Sequence, residues 1–237
     1  MYHSITFGDK NTWDDWHLIP STRPLFNPPD VKTHIVDIPG ANGQIDLTES
    51  LTGYPLYENR TGSWEFNVVN GYQDWDVLYS EILAYLHGKT MTAYLEDNPY
   101  FYFEGRFEVN KWESDKWWSK ITIDYDVYHY KKEPNSSIEP WLWDPFDFEY
   151  GIIREYADLV VDGSLSLEIL GRQEPVVPEI TVDSDSGSGM TVQVGSKTYE
   201  LSEGVNVNPN IVIGEANVTL VFTGNGTVNV NYQGGML

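Results

Sequence analysis

Residues 121–129 read Ile-Thr-Ile-Asp-Tyr-Asp-Val-Tyr-His, a buried-type face alternating with a more polar one over four repeats. A period of two places successive side chains on opposite sides of an extended chain, so this segment is a strand with one face on a core. Residues 91–95 and 100–109 are patterned alike, and the turn-forming Glu96-Asp97-Asn98-Pro99 between them predicts a hairpin. The stretch 111–116 is expected to turn the chain again, into a strand holding Trp117. Helical spacing stands out once. Over 74–86 the apolar residues Trp75, Leu78, Ile82, Tyr85 and Leu86 recur every three or four positions, with Asp74 placed to cap the start and Gly88 to stop the end. The acidic start and Lys89 just past the end agree with the helix dipole.

The pattern changes at residues 131–137, Lys-Lys-Glu-Pro-Asn-Ser-Ser, a polar stretch with no apolar period. The expected domains are therefore 1–132 and 133–237. Beyond the boundary, short Val-, Ile- and Leu-rich runs (164–170, 179–182, 190–194, 210–213, 217–222, 227–232) alternate with Gly, Ser, Asp and Asn clusters, the rhythm of a small β-sandwich. The fold class expected is mainly β, with one helix.

Composition then excludes function classes. Fourteen Lys and Arg against 36 Asp and Glu leave a formal charge of −22, so the surface field repels phosphate and a basic nucleic-acid groove is not expected. The same repulsion suits a conduit that DNA crosses without sticking, although acidity also maintains solubility. No run approaches the roughly 18 apolar residues of a membrane span, and no signal-peptide pattern opens the sequence. With no cysteine, disulfides, thiolate nucleophiles and cysteine metal sites are absent. The expectation is a protein made in the cytoplasm, with no membrane partner.

Carboxylates are abundant, yet no nucleophile motif, phosphate loop or metal-binding helix motif accompanies them, and the reading is non-catalytic with no cofactor. His3, His17, His34, His87 and His129 form no ligand pair. Residues 183–189, Asp-Ser-Asp-Ser-Gly-Ser-Gly, resemble part of a calcium loop but lack the downstream bidentate Glu, so a plain connection is expected and no metal. Aromatic residues cluster at Trp112, Trp117 and Trp118, and again after the boundary. There Trp141, Trp143, Phe146 and Phe148 fall at alternating or near-alternating positions and are expected to pack between domains. A sugar platform is the alternative use of such rings.

The order of motifs resembles the distal tail proteins of siphoviruses that infect Gram-positive bacteria. The segment Pro39-Gly40-Ala41-Asn42-Gly43-Gln44-Ile45-Asp46-Leu47-Thr48 resembles that family's Pro-Gly-x-x-Gly-x-Ile/Leu-Asp-Leu loop, and Gly53-Tyr54-Pro55 with Tyr57-Glu58-Asn59-Arg60 follows it. The stretch from Leu95 through Asp97, Pro99, Tyr100 and Gly105-Arg106 is similar to the family's acidic turn and aromatic strand. Tyr128-His129-Tyr130-Lys131 stands where the family often has Pro-Tyr-Lys.

The resemblance implies an N-terminal β-sandwich with helix and hairpin, and a C-terminal galectin-like β-sandwich. It further implies a homo-hexameric ring at the virion tail tip that joins the tail tube protein to the hub or tail-associated protein. Receptor-binding or baseplate proteins would be anchored there, and DNA would pass through without specific binding. Residues expected at subunit interfaces are Pro39, Gly40, Asn42, Gly43, Asp46, Tyr54, Tyr57, Asn59, Arg60, Asp97, Pro99, Tyr100 and Arg106. The alternative function is a carbohydrate-binding adhesion module of the tail tip.

Overall fold

The computed structural model describes residues 2–40, 42–69, 75–115, 117–140, 151–183 and 189–237. The chain divides into two compact units, Met1–Lys131 and Lys132–Leu237.

Unit 1 contains β1 (Ile5–Phe7), β2 (Lys10–Asn11), β3 (Leu18–Pro20), β4 (Ile35–Asp37), β5 (Gln44–Asp46), β6 (Arg60–Val68), α1 (Trp75–Leu86), β7 (Lys89–Leu95), β8 (Asn98–Ser114) and β9 (Ser119–Val127). Seven of the strands run in the order β2-β1-β7-β8-β9-β6-β3, and every neighbouring pair is antiparallel. The alternation in β9 is used as read: Ile121, Ile123, Tyr125 and Val127 are buried. Their partners on β6 include Phe66 opposite Ile121 and Trp64 opposite Ile123.

The β7–β8 hairpin forms, but it turns on Glu96 and Asp97 alone, with Leu95 paired to Asn98. Strand β8 is longer than expected because a bulge between Val109 and Lys111 absorbs one residue. That insertion reverses the parity of the strand and lets Trp112 pack on the core from a position three after Val109. The chain turns only after Ser114. Trp117 and Trp118 consequently stand in the turn before β9, 77% and 46% exposed, where a strand was expected at Trp117.

Helix α1 begins at Trp75 as described, and its expected cap, Asp74, lies outside the described residues. Trp75, Ile82 and Leu86 are buried, and Leu78, Tyr79, Leu83 and Tyr85 pack beside them. Gly88, at φ +73°, ends the helix, and Lys89 Nζ donates to the Ala84 carbonyl at 2.6 Å.

Strand β10 (Lys131–Lys132) marks the boundary between the units. Unit 2 holds β11 (Leu159–Ile169), β12 (Glu179–Asp183), β13 (Met190–Val194), β14 (Lys197–Leu201), β15 (Gly204–Val207), β16 (Val218–Asn231) and β17 (Gly235–Met236). The runs 217–222 and 227–232, expected as separate strands, form the single strand β16. Along one edge it pairs with β11, and along the other it pairs first with β13 and then with β12. The changeover falls at Gly224 and Gly226, whose φ of +135° and +144° suit glycine, and a Cβ on Gly224 would stand 2.8 Å from Met190 Cγ. The sheet thus curls about β16, and both halves bury side chains in one core, among them Val192, Leu220 and Phe222 with Ile180, Val182 and Val230. The run 210–213 is not a strand but makes one bridge, Val176 to Ile213. Among the described residues no helix is long and apolar enough to cross a membrane.

Candidate subunit interface

Between Pro24 and Arg60, both buried, no described residue is buried. The segment leaves the sheet, doubles back as a two-stranded ribbon and returns to β6. Its limbs are joined by Lys32 N donating to Leu56 O and Glu58 N to Asp30 O, both at 2.8 Å, around the bridge Val31 to Tyr57. Farther out, β4 pairs with β5 in the register Ile35–Asp46, Val36–Ile45, Asp37–Gln44. Gly40 and Gly43, at φ +85° and +84°, make the tip connection possible. Asp46 accepts from Thr48 N at 2.9 Å, and its hydrogen bonds with the Thr48 hydroxyl and amide hold its carboxyl below its ordinary range.

The ribbon has no core of its own, yet it is rich in apolar side chains. Val36 and its partner Ile45 share a face with Ile38 and Leu47 by the two-residue period, and all four are exposed. Val31, Ile35, Tyr54 and Leu56 are exposed as well, and Leu51 is 98% exposed. A lone two-stranded ribbon is marginal in water, and contiguous exposed apolar surface marks a contact site. What the arm can do chemically is bury this row against another surface.

Most residues expected at the interface sit on this arm. Pro39, Gly40, Asn42 and Gly43 form the tip, Asp46 ends β5, and Tyr54 lies on the returning limb, all exposed. Tyr57 is half-buried against the rings of His129 and Tyr130, and Asn59 Nδ2 donates to Asp126 Oδ1 at 2.8 Å. Arg60 is engaged within its own chain. It is 6% exposed, donating from Nε to His129 O at 2.8 Å and from Nη1 to Asn27 O at 3.1 Å, so within the protomer it is not presented to a neighbour.

On the β7–β8 hairpin, Pro99, Tyr100 and Arg106 are exposed, and Arg106 also donates to Gly88 O. Asp97 is likewise engaged within its own chain. Its side chain is 8% exposed and accepts from Arg23 Nε at 2.6 Å and engages His3 Nδ1 at 2.9 Å. Burial works against its charged form, but Arg23 and His3 outweigh burial and hold the carboxyl below its ordinary range. Trp141, Trp143, Phe146 and Phe148 lie outside the described residues, as do residues 184–188 of the calcium-like loop.

Residues that no motif flagged hold the arm at its root. The Phe26 ring sits 3.9 Å from Phe103, 4.7 Å from Trp64 and 4.9 Å from Tyr125, while Trp64 Nε1 donates to Leu25 O at 2.9 Å. The sequence signal was there in an isolated aromatic between Pro24 and Pro28-Pro29, ahead of the spaced apolar residues Val31, Ile35 and Val36.

The face of the unit 1 sheet opposite the core is acidic. Strand register places Glu65, Glu104, Glu108, Glu113, Asp124 and Asp126 there against Arg106, Lys111 and Lys120, with Glu108 directly across from Asp124. Among the described residues no group of three or more His, Asp or Glu is placed to hold a metal ion.

No family model and no curated protein matches the chain. Among solved structures it is similar to the Dit protein of phage SPP1, described as a paradigm of the hub adsorption apparatus in phages infecting Gram-positive bacteria. The TM-score is 0.60 at 11% identity over 99% of each chain. The mainly β, Dit-like fold is therefore shown over nearly the whole length.

Proposed function

We propose that this chain is a distal tail protein, a non-catalytic subunit of a hexameric ring at the tip of a long phage tail. The observation that carries the reading is the coreless, apolar arm of residues 25–59 on a Dit-like fold. In closed cyclic symmetry one contact repeats around the ring, so each arm lies on the next copy and satisfies every subunit at once. The β7–β8 hairpin, with Tyr100 and Arg106 exposed, is the second contact.

The ring joins the tail tube protein to the hub or tail-associated protein, and unit 2 anchors receptor-binding or baseplate proteins. The acidic face over β6, β9 and β8 faces the bore, where its excess of carboxylates keeps passing DNA from binding. The protein is made in the host cytoplasm and ends in the virion.

Deleting residues 41–52 tests the reading. The expected result is loss of rings by negative-stain microscopy with an unchanged β-rich circular dichroism spectrum; normal rings from the deletion would contradict it.

A further inference from the structure

Arg60 is the charged residue best buried in unit 1, and among the described residues no carboxylate pairs with it. Its two directed bonds reach chain segments far apart in sequence. Nη1 holds Asn27 O on the outgoing limb of the arm, and Nε holds His129 O just beyond β9. Its guanidinium lies over the Phe103 ring, 5.3 Å from the centroid. Asn27 is held from three further directions. Its N–H donates to the Tyr125 hydroxyl at 2.9 Å, its Nδ2 donates to Thr61 O at 2.8 Å, and the preceding Phe26 is anchored by its ring, 4.9 Å from that of Tyr125.

This closure depends on Gly62. A Cβ there would stand 2.4 Å from the Tyr125 hydroxyl and 2.7 Å from Asn27 Nδ2, so a side chain would push both off β6. The outgoing and returning limbs are thereby fastened to the sheet at one polar knot. The limb-to-limb hydrogen bonds of Lys32 and Glu58 begin only a few residues beyond it.

We propose that Arg60 is a positioning residue for assembly, the joint that fixes the angle and register at which the arm leaves the sheet. A ribbon with no core gains its direction from its root, because its own two strands are marginal in water. The guanidinium serves this purpose where an ammonium does not: its planar fork reaches two carbonyls at fixed geometry, whereas a lysine donates from one point. Removing a buried cation that lacks a counter-charge relieves a desolvation cost, so the body need not be weakened when the joint is lost. The proposal rests on the ring reading for its consequence, but its physical content belongs to the single chain.

The experiment is amide hydrogen exchange on the full chain, wild type against Arg60→Met and Arg60→Lys, with thermal unfolding and light scattering alongside. Bonds to a charged group of this kind correspond to about a tenfold to hundredfold change in a local opening equilibrium. Exchange at Lys32 and Glu58 is expected to accelerate by that factor in both variants. The amides of β9 keep their rates, Tm moves by no more than about 3 °C, and rings require more protein to form. Unchanged exchange at Lys32 and Glu58 in a folded variant would overturn the proposal. Parallel acceleration of the arm and β9 in both variants would also overturn it, because Arg60 would then be a general stabiliser. Should Arg60→Met fail to fold, Arg60→Lys decides. A wild type that never forms rings defeats the ring reading but leaves the exchange comparison intact, so the two failures are distinguishable.

Discussion

The sheet-and-helix body of unit 1 and the arm that projects from it are made from similar apolar residues put to opposite use. In the body, Ile5, Phe7, Trp16, Phe66, Phe107 and Ile123 are wholly removed from water. In the arm, Ile35, Ile45 and Leu51 stand in it. A body residue stabilises the chain that contains it, whereas an arm residue gains its burial only from another surface. Apolar content alone therefore does not measure the stability of a protomer. In the proposed ring, part of it is held in reserve for assembly.

The contrast can be broken by substitution. Phe107→Ala should cost unit 1 about 3–5 kcal/mol in denaturant unfolding, the usual loss for a fully buried aromatic ring. Leu51→Ala should change the same measurement by less than about 0.5 kcal/mol, since a 98% exposed side chain has no packing to lose. Equal losses at the two positions would mean that the arm is covered within its own chain. Ile45→Asp sharpens the point: the charge is tolerated in the free protomer but becomes a buried, unpaired carboxylate in a ring, so assembly should fail while the melting curve holds.

A smaller effect is expected from pH at the hairpin turn. Asp97 has a depressed pKa in the folded chain, so its contribution is present above the ordinary value of 3.8 and is lost as pH falls below it. Acidification through that range should free Arg23 and His3 from the turn, and Asp97→Asn should remove this part of the pH dependence. Arg23 is 60% exposed, so solvent screening keeps the effect small. An unaltered acid-unfolding profile in Asp97→Asn would show that the pair contributes nothing measurable.

The elements legible in the sequence were those whose signal is local. The alternation of β9 survives because a half-buried strand needs only its own residues to announce its two faces, and α1 shows its apolar stripe in the same way. The β7–β8 hairpin was visible in its turn formers, although the turn uses only Glu96 and Asp97. Features set by distant partners were not legible. Trp112 reaches the core only because the bulge at Asn110 reverses parity, which a strict period of two conceals. Gly224-Asn225-Gly226 reads as a turn but lies inside β16, because β11 pairs with that strand continuously from Val218 to Val228 and holds it extended. Asp97 and Arg60 are expected at an interface from the motifs that carry the family resemblance, and those motifs say nothing of what the two side chains hold within their own chain. Their partners lie 74, 94, 33 and 69 residues away, beyond any local pattern. The arm itself showed in its glycine-rich tip, while its anchoring by Phe26 and Asn27 required the sheet to be in place.

The central claim is that the arm's apolar row is completed by another copy of the chain. It is tested most directly by the mass of the purified protein in solution, measured by size-exclusion light scattering across a range of concentrations. The account predicts six times the chain mass, or a monomer giving way to that species as concentration rises. A strict monomer at every concentration would contradict self-assembly through the arm.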